Sequence, residues 1–213
     1  MMRKVLVLLA AALAAPALAK PMIPRLPSDS DLVANLPNGT ALETRFYADL
    51  NGDGIRDTAA VVRSDDERKL FVLLGYSYET DMGYRPVGSM AMDISPLGEA
   101  QLSVRNGVLI VEDLSGGTTA VASLYRFRYE APVDRMRLIG DNVTLYSRTN
   151  MHGSVNISTN RLTGVRITKR SELRGKGENA SLVPGKPVTT KISRKPVYME
   201  EAPDPTETVG FGD

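Results

Sequence analysis

From Ala41 to Lys169 the chain is a series of short β-branched and aromatic segments separated by turn residues. The strongest hairpin signal is Asn106-Gly107, which lies between two apolar alternating segments. Short strands at this spacing predict a single antiparallel all-β domain, with a barrel and a sandwich as alternatives. The predicted strands are 41–48, 57–63, 69–77, 101–105, 108–113, 119–129, 135–139, 143–148, 153–158 and 165–169, with a further one around 90–92.

Alternation within the predicted strand 119–129 assigns its two faces. Tyr125, Phe127 and Tyr129 fall on one face, and Arg126 and Arg128 fall on the other. We expect the aromatic face to pack in the core and the arginine face to be solvated. A ligand platform made by the aromatic residues is the alternative.

The first nineteen residues have the three parts of a secretory signal peptide. Arg3 and Lys4 are the basic start, Val5 to Ala15 is the apolar segment, and Ala17-Leu18-Ala19 fits the cleavage pattern. The apolar run is too short for a membrane helix, which needs about twenty residues. We therefore expect a mature chain that starts at Lys20 and has no transmembrane segment.

The chain contains no cysteine, which excludes disulfides and a cysteine-linked lipid anchor. Together with the short signal peptide, this predicts a bacterial protein of the periplasm or the extracellular space. Within the mature chain we expect an N-terminal arm over residues 20–40, a β-rich domain over 41–170, and a loosely ordered tail over 171–213. Glycine and proline punctuate this last segment, and it has few apolar residues.

Charge is segregated along the C-terminal third, although the whole chain has a formal net charge of only +1. The segment Arg161–Lys195 contains ten basic residues against Glu172 and Glu178, and an acidic end follows it. This predicts contact with an anionic surface such as a membrane face or peptidoglycan, and a solubilising tail is the alternative. The partner in the envelope is otherwise unknown. No nucleic-acid-binding motif is present, so nucleic acid is not an expected partner.

A nine-residue segment, Asp49–Asp57, reads D-L-N-G-D-G-I-R-D and places oxygen donors at alternate positions. Gly54 permits the sharp turn that such a loop needs, and calcium takes six to eight oxygen ligands. Calcium is favoured over magnesium because the ligands are many and flexible, and its expected role is structural. The predicted ligands are the side chains of Asp49, Asn51, Asp53 and Asp57 and the backbone carbonyl of Ile55.

This segment departs from an EF-hand, because Ala60 occupies the twelfth position and the flanks read as strands rather than helices. It resembles the calcium loop of FG-GAP and VCBS-type repeats, which joins two strands of a propeller blade. The resemblance implies calcium binding at the same five residues. The chain contains one such loop, so a complete propeller is not expected, and a metal-free hairpin is the alternative. Residues 125–164 loosely resemble small uncharacterised envelope proteins of Gram-negative bacteria.

Catalytic signatures are sparse. His152 is the one histidine, and without cysteine neither a zinc centre nor a thiol nucleophile is indicated. Asp81, Asp93, Glu112 and Asp113 leave a carboxylate-based glycan hydrolase as an alternative. We predict no catalytic residue, and interpret the chain as a secreted β-domain with a structural calcium loop and a binding or structural role. An envelope-surface binding module is the other alternative.

Overall fold

A computed structural model describes residues 22–175 and 180–210. The predicted signal peptide, residues 1–19, lies outside these ranges. Two five-residue α-helices, α1 (Asp29–Val33) and α2 (Pro205–Val209), flank the β-structure. The strands are β1 (Ala41–Ala48), β2 (Asp57–Arg63), β3 (Arg68–Ser77), β4 (Met82–Ala91), β5 (Gln101–Arg105), β6 (Val108–Gly116), β7 (Thr119–Glu130), β8 (Arg135–Ser147), β9 (Ser154–Asn160), β10 (Val165–Arg174), β11 (Ser181–Pro184) and β12 (Val188–Lys191).

The strands form two antiparallel sheets. The smaller sheet has the order β1-β2-β3-β4, and the larger has the order β11-β10-β9-β8-β7-β6-β5, with β12 also pairing with β10. Neither sheet closes into a barrel within the described residues. The all-β prediction is confirmed, and the sandwich-like alternative is the one observed.

Local sequence explains the central strand and the best-defined hairpin. In β2, every residue from Asp57 to Val62 is buried, and the strand is paired with β1 on one side and β3 on the other. The β5–β6 hairpin turns at Asn106 and Gly107, whose φ angles are 52° and 70°. Positive φ at both positions is the requirement of the tight turn that Asn-Gly favours, so this hairpin prediction is confirmed.

The main core lies between the two sheets. From β3 it takes Leu70, Val72 and Leu74, and from β7 it takes Tyr125 and Phe127. The two aromatic rings stack with centroids 6.1 Å apart and are 3% and 0% exposed. The predicted core-packed face of β7 is therefore confirmed, and an aromatic ligand platform on it is excluded.

A buried arginine joins the two sheets. Arg68 on β3 donates two hydrogen bonds to Glu43 on β1, both 2.7 Å, and two to Asp113 on β6, at 2.8 and 2.9 Å. A fifth goes to the carbonyl of Asp93 at 3.1 Å. Burial alone would raise the pKa of Glu43, but its hydrogen bonds from Arg68 and from the Ala100 amide lower it below its ordinary value. Every guanidinium donor of Arg68 is used, and these charge-assisted hydrogen bonds favour the charged form of Glu43.

The C-terminal segment differs from the loosely ordered tail that the sequence predicts. Met199 is fully buried in the main core, and Val209 on α2 packs in a second cluster with Val121, Val143 and Ile157. The Tyr125 hydroxyl also donates to the Pro203 carbonyl at 2.7 Å. The prediction was wrong because a few apolar residues, placed far apart between prolines, are enough to fix a segment that crosses an existing core.

The N-terminal arm carries α1, which begins after a capping box at Ser28 and Asp31. Its Leu32 is buried. No helix of the described residues is long and apolar enough to cross a membrane.

We expect Arg68→Met to lower the free energy of unfolding by about 3–5 kcal/mol, because it leaves two buried carboxylates without their partner. Urea denaturation measures the change. The matched control is Lys69→Met on the same strand, where the half-exposed ammonium lies 3.8 Å from Glu67 and contributes at most about 1 kcal/mol. Equal losses for the two variants would contradict a special role for Arg68.

Candidate metal site

The predicted metal loop joins the end of β1 to the start of β2, at the edge of the smaller sheet. Leu50 anchors it, because its side chain is buried in the main core. Gly52 and Gly54 both have φ of 83°, a conformation that favours glycine. The loop therefore has a fixed attachment to the core and the backbone turns that its sequence predicts.

The exposed half of the loop is folded around its own side chains. The Asp49 carboxylate accepts from the amides of Gly52 and Gly54, at 2.6 and 2.9 Å. Asn51 accepts from the Asp53 amide at 3.1 Å, and Asp53 accepts from the Ile55 amide at 2.7 Å. The predicted ligand side chains thus orient the backbone of the turn, and they do so through acceptor oxygens that each have more than one lone pair.

Asp57 lies beneath the loop and is fully buried. Its carboxylate accepts from the Leu50 amide at 2.7 Å and from the Gly75 amide on β3 at 2.9 Å. Asp57 therefore ties both the loop and the neighbouring strand β3 to the first residue of β2.

Burial raises the pKa of Asp57 from 3.8 to about 6. The amide donors of Leu50 and Gly75 act in the opposite direction, and the negative charges of Asp53 and Asp49 add to the rise. The negative charges of Asp53 and Asp49 thus oppose the ionisation of Asp57, and a bound cation relieves an electrostatic condition of this kind.

Two residues that sequence reasoning missed complete the surroundings of the loop. A Cβ at Gly75 would lie 2.6 Å from the Ile55 side chain and 3.1 Å from the Arg56 carbonyl, so only glycine lets the loop approach β3. Tyr84 on β4 donates to the same Arg56 carbonyl at 3.1 Å. Gly75 and Tyr84 lie far from the loop in the sequence, so no local pattern connects them with it.

The structure does not gather the predicted ligands around one point. Within the described ranges, no three histidine, cysteine, aspartate or glutamate side chains lie close enough together to hold a metal ion. Asp49, Asn51 and Asp53 are held in the turn, and Asp57 is held below it. The donor types suit calcium, because all are oxygens and three are carboxylates.

Most of the residues considered for catalysis are bound to other groups of the protein. Asp113 is bound to Arg68, and Asp93 accepts from the Ser95 amide at 2.7 Å. The two ring nitrogens of His152 contact the Thr119 hydroxyl at 2.8 Å and the Gly153 carbonyl at 2.7 Å. Asp93, Asp113 and His152, which were considered for catalysis, therefore make structural contacts.

The basic residues of Arg161–Lys195 form a surface rather than a tail. The segment folds into β10, β11 and β12 at one end of the larger sheet, while Arg161 turns inward to bind buried Asp141 at 2.6 Å. The residues that we call the basic edge are exposed and described: Lys169, Arg170, Arg174, Lys186, Lys191, Arg194 and Lys195.

Comparison with known proteins does not assign the chain to a family. The chain matches no protein-family model, no curated protein and no solved structure. The likeness of residues 49–57 to FG-GAP and VCBS-type loops therefore rests on those residues alone.

In chelator, we expect the stability of the protein to depend on the ionisation of Asp57. Because its folded pKa lies above its unfolded value of about 3.9, this group contributes stability that is fully present below about pH 4 and is lost as pH rises through about 6. Urea denaturation between pH 3.5 and 7.5 should show this loss for the wild type and not for Asp57→Asn. The exposed Asp65→Asn variant is the control and should follow the wild type. Parallel pH profiles for the wild type and Asp57→Asn would contradict the prediction.

Proposed function

We propose that this chain is an exported bacterial β-sandwich domain of the periplasm or extracellular space, whose Asp49–Asp57 loop binds calcium and is made rigid by it. Asp49, Asn51, Asp53 and Asp57 would supply side-chain oxygens, and Ile55 would supply its carbonyl. The proposed role is structural or in binding, without catalysis. N-terminal sequencing of the exported protein tests the location, with Lys20 as the expected first residue.

The observation that carries the calcium proposal is the buried carboxylate of Asp57 below two further carboxylates. Its raised pKa reflects burial and the negative charges of Asp53 and Asp49. Within the described residues, its hydrogen-bond partners are two backbone amides and no basic side chain. A divalent cation supplies the missing positive charge. The same ion would hold the loop against β3, because Asp57 already contacts the Gly75 amide.

Two further features support the fit. The glycine-dependent turns match the backbone that a calcium loop needs, and every side-chain oxygen that accepts an amide keeps a second lone pair. Asp53 is exposed and Asp49 is partly exposed, so both can rotate toward an ion without disturbing the core. Such rotation is required, since their present positions do not converge with Asp57.

We expect calcium to raise the melting temperature of the wild type, because a ligand that binds only the folded state stabilises it. At a free concentration about a hundred times the dissociation constant, the gain in unfolding free energy is about 2.7 kcal/mol. Scanning calorimetry of chelated protein with and without added calcium measures it.

The Asp53→Ala variant should lose the calcium effect, whereas Asp65→Ala, in the exposed β2–β3 turn, should keep it. The same melting temperature for wild type in calcium and in chelator would remove the proposal. An equal calcium response of the two variants would place the ion elsewhere.

A second candidate function is binding of an anionic surface through the basic edge. Of the seven exposed basic residues, three lie on β10, one lies on β12, and three lie in the segments on either side of β12. The described part of that region contributes one acidic residue, Glu172. Arg174 lies 3.9 Å from Glu172, a distance that neutralises little of the charge at an exposed site. Surface charge of one sign at this density attracts anionic lipid or polymer.

We expect the triple variant Lys186→Glu, Lys191→Glu and Lys195→Glu to bind phosphatidylglycerol vesicles at least about a hundredfold more weakly, since each lysine near such a surface contributes about 1 kcal/mol. Co-sedimentation at low and high salt measures the loss. The control triple Arg105→Glu, Arg128→Glu and Arg148→Glu makes the same charge change at exposed positions away from the basic edge. Equal losses for both triples would show only a net-charge effect and would contradict a specific surface.

A further inference from the structure

A groove crosses the outer face of the larger sheet, on the side away from the core. It is an open groove of about 580 Å³ over strands β5 to β8. Leu114, Ala122 and Leu124 form its apolar floor, and the connection between β4 and β5 forms one wall. That wall is fixed by hydrogen bonds to β6, including Leu97 N–H to the Leu114 carbonyl at 2.7 Å. Its volume is in the range of small-molecule sites, and its shape is set by backbone contacts.

Strand register places charged groups of both signs in this groove. Glu112, Leu124 and Asn142 lie directly opposite one another on β6, β7 and β8, and so share the outer face. Arg126 is two residues further along β7 on the same face, diagonal to Glu112. Glu99, in the β4–β5 connection, adds a second carboxylate to the lining.

These charges do not neutralise one another. Arg126 turns away from Glu112 and donates to the Asn142 side chain at 2.8 Å, across the space left by Gly140. Among the described residues, Arg126, Glu99 and Glu112 take part in no salt bridge. The diagonal spacing of about 7–8 Å would let two long side chains meet. The observed arrangement instead leaves a guanidinium and two carboxylates open toward the same half-enclosed space.

Asp113 also borders the groove, but its charge is already met by Arg68. All five guanidinium donors of Arg68 are used, whereas Arg126 has one hydrogen bond to a described residue. A ligand that carried only one sign of charge would leave either the arginine or the glutamates unpaired.

We propose that this groove binds a small zwitterion of the peptide or amino-acid class, with its carboxylate on Arg126 and Asn142 and its ammonium on Glu112 and Glu99. An arginine donates two parallel hydrogen bonds to a carboxylate, and Asn142 holds the guanidinium in place for this. The apolar floor takes the methylene groups between the two charges. The site is independent of the calcium loop, which lies on the other sheet.

Oligoglycines test this proposal, because they vary the spacing of the two charges without adding side chains. Each residue adds at most about 3.3–3.6 Å, so glycine separates its charges by less than the diagonal spacing of about 7–8 Å between Glu112 and Arg126, and diglycine and triglycine come closer to it. Binding to the full mature chain is followed by NMR titration of backbone amides. We expect affinity to rise at least tenfold from glycine to triglycine, with saturable shifts on β6, β7 and β8.

End-blocked peptides separate the two contacts. In the wild type, C-terminal amidation and N-terminal acetylation of triglycine should each weaken binding at least tenfold. In Arg126→Gln, amidation should have no further effect, and in the Glu99→Gln, Glu112→Gln double variant acetylation should have none. Arg128→Gln is the matched control, because this exposed arginine lies on the same strand and face outside the groove lining.

Two results would overturn the proposal without reference to any variant. One is the absence of saturable shifts in the groove with any oligoglycine. The other is equal binding of free and end-blocked triglycine by the wild type. If the first result came together with saturation of the groove by the neutral sugar N,N′,N″-triacetylchitotriose, the ligand would be a glycan instead.

Discussion

The relative position of the two sheets depends on Arg68. Its guanidinium reaches from β3 to a carboxylate on its own sheet and to one on the facing sheet, so the two layers share a single charged centre inside the core. Apolar contacts of Leu70, Val72 and Phe127 supply most of the burial, but they tolerate small sliding movements between layers. The five hydrogen bonds of Arg68 have fixed directions and do not tolerate such sliding. The same centre fixes the β4–β5 connection, because Glu43 also accepts from the Ala100 amide, and that connection is one wall of the outer groove.

The two candidate sites use charge in opposite ways. At the proposed calcium loop, all the charged groups named as ligands are carboxylates, and backbone amides are their hydrogen-bond partners. In the outer groove, both signs are present and lie apart, with Asn142 holding Arg126 away from Glu112. The first arrangement calls for a compact divalent ion, and the second calls for a molecule that carries two charges of its own. Neither site is built from the residues of the other.

The sequence predicted the parts of this structure that depend on neighbours in the chain. The β5–β6 hairpin follows from Asn106-Gly107, and the buried face of β7 follows from alternation. It predicted a break at residues 140–142, where β8 instead continues through a bulge and buries Asp141 against Arg161. That pairing, like Arg68 with Asp113 and Asp57 with Gly75, joins residues far apart in sequence, so no local pattern reveals it. The ordered C-terminal segment was missed for the same reason, since Met199 is buried by residues that lie far from it in the sequence.

That segment has a consequence for how the protein is made. The larger sheet extends past the smaller one, and α2 covers part of its overhanging inner face through Val209. Both Met199 and Val209 are synthesised after all twelve strands. Until Met199 and Val209 pack in place, a sandwich formed by the strands alone exposes apolar surface, which makes the incompletely folded chain a ready substrate for chaperones.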